Sequence, residues 1–294
     1  MQHFTYTASL PQSNQTVDIL EFFYSEYKHL NKILLNNDDR VIISFFDNLL
    51  RNKCTGINVQ SLCFIDKLII LLTMRSICIS PEIELTVTCP ITNKPFNYVL
   101  QTTDVINALQ KINLPENLKT VTKTYKNGSL IVSLALPTAL SLQDSDNELI
   151  SSVIHNITLN GTDITDKKTD VQNHLPIEIL QDIKEYVTAI NTILHDIEIV
   201  NIISPFAPNT GFIKVPLNIF NNSVLEFLKI CFKRGLYSLY ELEYFLTKHL
   251  NLDNATIISA TPAELSIYIN LYRDEKQQEE KNHKDNKDLN PLHP

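Results

Sequence analysis

Five cysteines, eight histidines and 33 acidic residues are the side chains on which nucleophilic, acid–base or metal chemistry would have to be built in this chain. Cys89 begins the most suggestive spacing. The segment Cys89-Pro90-Ile91-Thr92-Asn93-Lys94-Pro95-Phe96 has the form of a zinc-knuckle turn, in which two thiolates a few residues apart chelate one ion, but Thr92 stands where the second thiolate would be. A second turn, Ser204-Pro205-Phe206-Ala207-Pro208-Asn209-Thr210-Gly211-Phe212, echoes it with no cysteine at all. A structural zinc site closes with four ligands, and the chain has no CxxC or HxxxH pair, so plain turns and no bound metal are expected.

Cys54, Cys63 and Cys78 lie on or near apolar helical segments, where a thiol behaves as a small hydrophobe. A cysteine nucleophile would need a histidine base and an orienting carboxylate, for which His29, His155 and His195 are candidates that only the fold can place. His195-Asp196 falls at a helix end, where imidazolium favours the dipole, and a structural role is expected. Asp144-Ser145-Asp146-Asn147-Glu148 starts like a calcium loop. Leu149 occupies the position that needs glycine and His155 the position that needs glutamate, so calcium is not expected. Asp38-Asp39 and Asp182/Glu185 read as solvated helix faces. No catalytic residue, cofactor site or metal ligand set emerges.

Composition excludes further chemistries. The 294 residues contain five glycines, and the nearest pair, Gly211 and Gly235, is too far apart for any phosphate-cradling GxGxxG or GxxxxGK[ST] loop or a GxSxG elbow. A net charge of −8 without a basic face argues against nucleic acid as a partner. The longest apolar run, Leu68 to Leu72, is far short of the ~20 residues that span a bilayer, so no membrane role is expected. The first residues, Met1 to Thr7, lack a signal peptide's basic start and apolar stretch, and an odd number of irregularly spaced cysteines suits a reducing cytoplasm.

The periodicity predicts an α+β fold, helical at both ends with two or three β-hairpins between. Helices are expected over 17–36, 39–51 (capped by Asp38 or Asp39) and 61–77 (begun by Ser61), the last apolar almost all round and therefore central. Alternation at Ile83, Leu85, Val87 and at Phe96, Tyr98, Leu100 predicts one hairpin; Asn127-Gly128 within 120–136 a second, and Asn160-Gly161 a shorter third. Ser145-x-x-Glu148 is a capping box for a helix through His155, Pro176 opens a helix to about 195, and a strand follows near 211–219. A helix over 222–234 is expected to end at Gly235 as a left-handed C-cap, another over 238–250 to begin with Ser238-x-x-Glu241, and a last one to run from Thr261-Pro262-x-Glu264 to about 275. This divides the chain into 1–112, 113–221, 222–275 and a charged tail, 276–294, expected to be disordered.

The order of these segments carries a resemblance. VDILEFFYSEYKHLNKILLNNDDRVIISFFDNLLRNKC, followed by FIDKLIILLTMRSICISPEIELTVTC, resembles the baseplate protein family of T-even-like contractile-tailed phages, whose members are hub subunits or hub assembly proteins. The stretch from Phe220 to Arg273, with Thr261-Pro262-Ala263-Glu264-Leu265-Ser266-Ile267-Tyr268, is similar to the end of such proteins. The resemblance implies a non-enzymatic virion or assembly protein, made in the host cytoplasm, whose partners are other baseplate hub or tail assembly proteins. The opposing expectation is a cytoplasmic enzyme whose cysteine or carboxylate site is invisible in sequence. Over residues 236–250, Leu239, Leu242, Leu246 and Leu250 share one helical face while Tyr237, Tyr240 and Tyr244 lie roughly opposite. That tyrosine stripe is the candidate partner-binding surface.

Overall fold

A computed structural model describes residues 4–112, 120–125, 130–140, 146–164, 176–196, 201–209, 212–214 and 223–288. The chain enters as a hairpin, β1 (Thr5–Leu10) and β2 (Gln15–Leu20), so residues 17–20 are strand and not the start of the first helix. The reason is local. Val17 and Ile19 alternate with Thr16 and Asp18 and bury one face, a period of two that overlaps the first helical repeats. Helix α1 (Tyr24–Asn36) follows, then α2 (Asp39–Lys53), with Asp38 accepting hydrogen bonds from the backbone N–H of Arg40 and Val41 as its N-cap. β3 (Cys54–Thr55) adds an edge to β2.

Ser61 does not begin the third helix. It ends a 3₁₀ turn (Val59–Ser61) capped by Asn58, and α3 (Phe64–Cys78) starts after it. As its composition demands, α3 is buried almost all round. The expected hairpin follows as β4 (Glu82–Thr88) and β5 (Pro95–Gln101), and runs straight into α4 (Thr102–Gln110), a nine-residue helix too short to announce itself by periodicity.

β6 (Thr120–Tyr125) and β7 (Leu130–Ala135) form the second hairpin; its Asn127-Gly128 turn lies outside the described residues. Helix α5 (Asp146–Val153) stops before His155, because Ile154–Leu159 is β8, pairing Leu134 with Ile154 and Val132 with Ile157. β-branched alternation and a neighbouring strand outweigh helix continuation there. Ser145 and Asp144, and so the expected cap and calcium-like start, lie outside the described residues. Asn160 (φ 50°) and Gly161 (φ 81°) turn the chain into β9 (Thr162–Asp163) through two left-handed residues, as a type I′ hairpin requires. The four strands lie in the order β6-β7-β8-β9. Helix α6 (Ile177–Asp196) begins just after Pro176; β10 (Asn201–Ile203) pairs with β11 (Phe212–Lys214), while residues 215–219 of the expected strand lie outside the described residues.

The C-terminal region is helical: α7 (Ser223–Phe232), α8 (Leu236–Leu250), α9 (Asn254–Ser259) and α10 (Pro262–Asp288). Gly235 has φ −59°, so it is not a left-handed C-cap but stands at the N-cap of α8. Ser238 therefore falls inside the first turn and the expected box with Glu241 is not its N-cap. Asparagines take the left-handed C-caps instead, Asn37 after α1 and Asn251 after α8. The box at Thr261 is formed: Thr261 N–H donates to Glu264 Oε2 (2.7 Å) and Glu264 N–H to Thr261 Oγ1 (3.2 Å). Helix α10 does not end near 275. Its Glu, Lys and Gln residues are good helix formers, and Lys276 pairs with Glu279 at 2.6 Å, so residues 276–288 of the expected disordered tail are helix.

Two buried polar side chains join the parts. Asn31 of α1 donates to the carbonyls of Tyr27 (2.9 Å) and Phe232 (3.3 Å) and accepts from Arg234 N–H (2.6 Å), satisfying the break between α7 and α8. Arg75 of α3 donates from Nε to the Cys231 carbonyl (2.6 Å), from Nη2 to the Glu82 carbonyl (2.7 Å), and from Nη1 to the Ser80 carbonyl and Thr102 Oγ1. Arg75→Ala should cost about 3 kcal/mol or more in urea unfolding, since it orphans several buried acceptors, and Arg75→Lys should restore only a minor part because an ammonium cannot span the fork. Deleting residues 276–294 should leave the melting temperature almost unchanged, because the described part of that segment buries almost nothing.

Candidate partner-binding cleft

Helix α8 divides its side chains as its sequence predicts. Leu239 and Leu246 are fully buried, and Leu242 and Leu250 pack partly against the core. The Tyr24 hydroxyl donates to the Leu239 carbonyl at 2.7 Å, fastening α8 to α1. Burial, followed by the nearby Glu243 carboxylate, holds that phenol well above its ordinary pKa, so it stays a donor at any physiological pH.

On the other face, Tyr237, Tyr240 and Tyr244 are 75%, 47% and 67% exposed. Tyr240 meets the N-terminal helices through Lys28, whose Nζ sits 4.0 Å from the ring centroid while pairing with Glu243 at 2.6 Å. All three line an open cleft of about 810 Å³ between α8 and α10, with Arg234 at one end and Arg273 and His249 at the other. Its floor is aromatic: Phe245 meets Tyr272 edge-on at 5.4 Å and His249 at 5.0 Å. Ile267, Tyr268 and Leu271 of α10 are exposed as well. The chemistry is that of binding: flat amphipathic rings and guanidinium groups, the residue types enriched at protein interfaces.

The residues that a catalytic alternative would use share a cavity of their own. Cys63, Asp66 and His155 line a pocket of about 190 Å³ between α3, the β1–β2 turn and β8. Burial, the largest effect, pushes the Cys63 thiol up to about 12, away from thiolate. Each Asp66 oxygen accepts one backbone hydrogen bond, from the N–H of Gln12 (3.1 Å) and of Ser13 (2.9 Å), which ties the first hairpin to α3. His155 is exposed on its strand. His29 packs on Phe45, with centroids 5.7 Å apart, and the side chains of His195 and Asp196 lie outside those described.

Burial also raises Cys54 and Cys231 to about 12 and Cys78 to about 11. Cys89 is the exception: hydrogen bonds with Ser204, then Thr92, bring its thiol down to about 7. Asp39 pairs with Lys229 at 2.6 Å, and Glu185 is an exposed acceptor for Gln181. Among the described residues no group of three or more His, Cys, Asp or Glu side chains converges to hold a metal, and no helix is long and apolar enough to cross a membrane.

The described residues thus form a helix-rich scaffold with an open aromatic cleft. Residues 1–203 match the family model described as T4 bacteriophage base plate protein, and the chain belongs to that family. No curated protein and no solved structure matches it. Membership makes this a phage baseplate protein, and the role it implies is structural. The cleft lies C-terminal to the matched segment, in residues 234–273.

Tyr240→Ala combined with Tyr244→Ala should change stability by less than ~1 kcal/mol per site, as exposed substitutions do, whereas Tyr24→Ala, which empties a fully buried volume, should cost about 3 kcal/mol or more. Thermal unfolding followed by circular dichroism separates the two. Native protein at pH 8 should not be alkylated by iodoacetamide at Cys63, read by peptide mass spectrometry.

Proposed function

We propose that this protein is a baseplate hub component, or a factor that assembles the hub, and that it holds a neighbouring tail protein in the Tyr237–Tyr240–Tyr244 cleft. The observation that carries this reading is the exposure of three rings on a helix whose leucine face already satisfies its own packing. Exposed aromatic area of this kind bordered by Arg234 and Arg273 is the composition of an interface centre with a charged rim. The protein would act in the host cytoplasm during tail assembly and engage protein rather than nucleic acid, in keeping with its net charge of −8.

Tagged wild-type protein expressed during infection should co-purify with one or more baseplate proteins, and the Tyr240→Ala/Tyr244→Ala variant should lose them while keeping its melting temperature. Retention of every partner by the folded double variant would refute the role of the cleft. Mass spectrometry of purified virions separates the two fates, since a hub component stays in the particle and an assembly factor leaves it.

A further inference from the structure

The two turns that echo one another in sequence meet in the fold through their described residues, 89–96 and 204–209. Each has proline directly after its first residue and its second key position three residues after the first: Cys89-Pro90-Ile91-Thr92 and Ser204-Pro205-Phe206-Ala207. Each links two antiparallel strands, β4 to β5 and β10 to β11. In both, the backbone folds back on the first side chain. The N–H groups of Thr92 and Ile91 bond the Cys89 sulfur, and the N–H of Phe206 donates to Ser204 Oγ at 3.2 Å. Both turns also close on backbone carbonyls: Asn93 N–H donates to Cys89 O (2.9 Å), Cys89 N–H to Lys94 O (3.0 Å) and Ala207 N–H to Ser204 O (3.2 Å).

The first residues of the two turns then face each other. Cys89 and Ser204 are both fully buried and hydrogen-bonded to one another, with Thr92 bonded to the same thiol. Around them Phe96 meets Phe206 edge-on at 6.2 Å, and Lys94 Nζ lies 5.6 Å from the Phe206 ring. Two turns that meet at their first residues, with a fourth position on each, have the chain layout from which a closed tetrahedral thiolate site is made.

We infer that these turns are the two halves of a zinc clasp assembled without the metal, with Cys89, Thr92, Ser204 and Ala207 at the four ligand positions. One thiol cannot hold zinc against water, and a hydroxyl is a far weaker ligand than a thiolate. The joint is closed instead by the Ser204–Cys89–Thr92 hydrogen bonds and the paired phenylalanines, while Ala207 leaves the fourth corner apolar. This fastens hairpin β10–β11 to hairpin β4–β5, distant in sequence, and makes the attachment indifferent to zinc supply and to chelators.

The inference is independent of the cleft and its partner. Restoring the three missing thiols, Thr92→Cys/Ser204→Cys/Ala207→Cys, should produce a chain that binds one equivalent of Co²⁺ with thiolate charge-transfer and tetrahedral absorption bands, and whose melting temperature zinc raises by about 10 °C or more. Wild-type protein should show no such bands and no thermal response to zinc or EDTA. A variant with the wild-type circular dichroism spectrum that binds no cobalt, or binds it octahedrally, overturns the inference, as does one zinc per chain in the wild-type protein by elemental analysis. If the triple variant folds neither with nor without zinc, Ser204→Cys alone decides. Mild oxidation with diamide should join Cys89 to the new thiol, seen by peptide mass spectrometry, and a folded single variant in which this bond does not form refutes the facing of the two turns.

Discussion

The guanidinium of Arg75 is the constraint on which the assembly depends. It is buried at the end of the most buried helix, and its main acceptors are backbone carbonyls from the loop after α3, from β4 and from the end of α7. No carboxylate is among those acceptors. Removing a cation from water costs several kcal/mol, which only well-aligned hydrogen bonds offset, and burial draws the Arg75 pKa downward. Because a planar fork fits several acceptors only when they arrive together, α3, β4, α4 and α7 must dock in one arrangement. Carbonyls that would otherwise be orphaned at a helix end and a strand start are satisfied in the same act.

Helix α1 extends this logic to the C-terminal region. Asn31 closes the gap between α7 and α8, Tyr24 holds the middle of α8, and Lys28 pairs with Glu243 while covering Tyr240. Lys229 reaches Asp39 and Glu226, both at about 2.6–2.7 Å, and so ties α7 to the start of α2. The tyrosine helix is thus mounted on the segment that the family match covers, although it lies beyond that match. A contact surface fixed by buried hydrogen bonds on its inner side loses little conformational freedom on binding, which favours association.

The cysteines show how environment decides chemistry. Four of the five have thiols raised by burial, and one, Cys63, sits near a carboxylate and an imidazole without being activated by either. Desolvation opposes the charged form whatever the neighbours, unless donors point at the sulfur. Cys78 accepts one such bond, from the N–H of Phe22 at 3.3 Å, and burial still keeps it raised, whereas at Cys89 a facing serine, Thr92 and turn N–H groups act together on a sulfur sealed from solvent.

Much of this was legible in the residues. The α+β class, the buried third helix, the 83–100 hairpin, the Asn160-Gly161 turn, the Thr261 capping box and the two faces of 236–250 are consequences of period, turn chemistry and capping, all written in a few adjacent residues. The first hairpin was not legible, because Val17 and Ile19 fit a strand and the edge of a helix equally until Thr5–Leu10 arrives to pair with them. Nor was the end of the helix at Val153, which is set by β7 lying beside Ile154, nor the role of Gly235, which becomes the N-cap of α8 where α7 and α8 both dock on α1. The cleft took its second wall from α10, and Cys89 found Ser204, only by tertiary folding. Sequence alone determines what each segment can bury and how it can turn, since those depend on near neighbours. Which exposed face stays free, and which distant polar groups satisfy one another, is decided by the three-dimensional competition for the same buried surface.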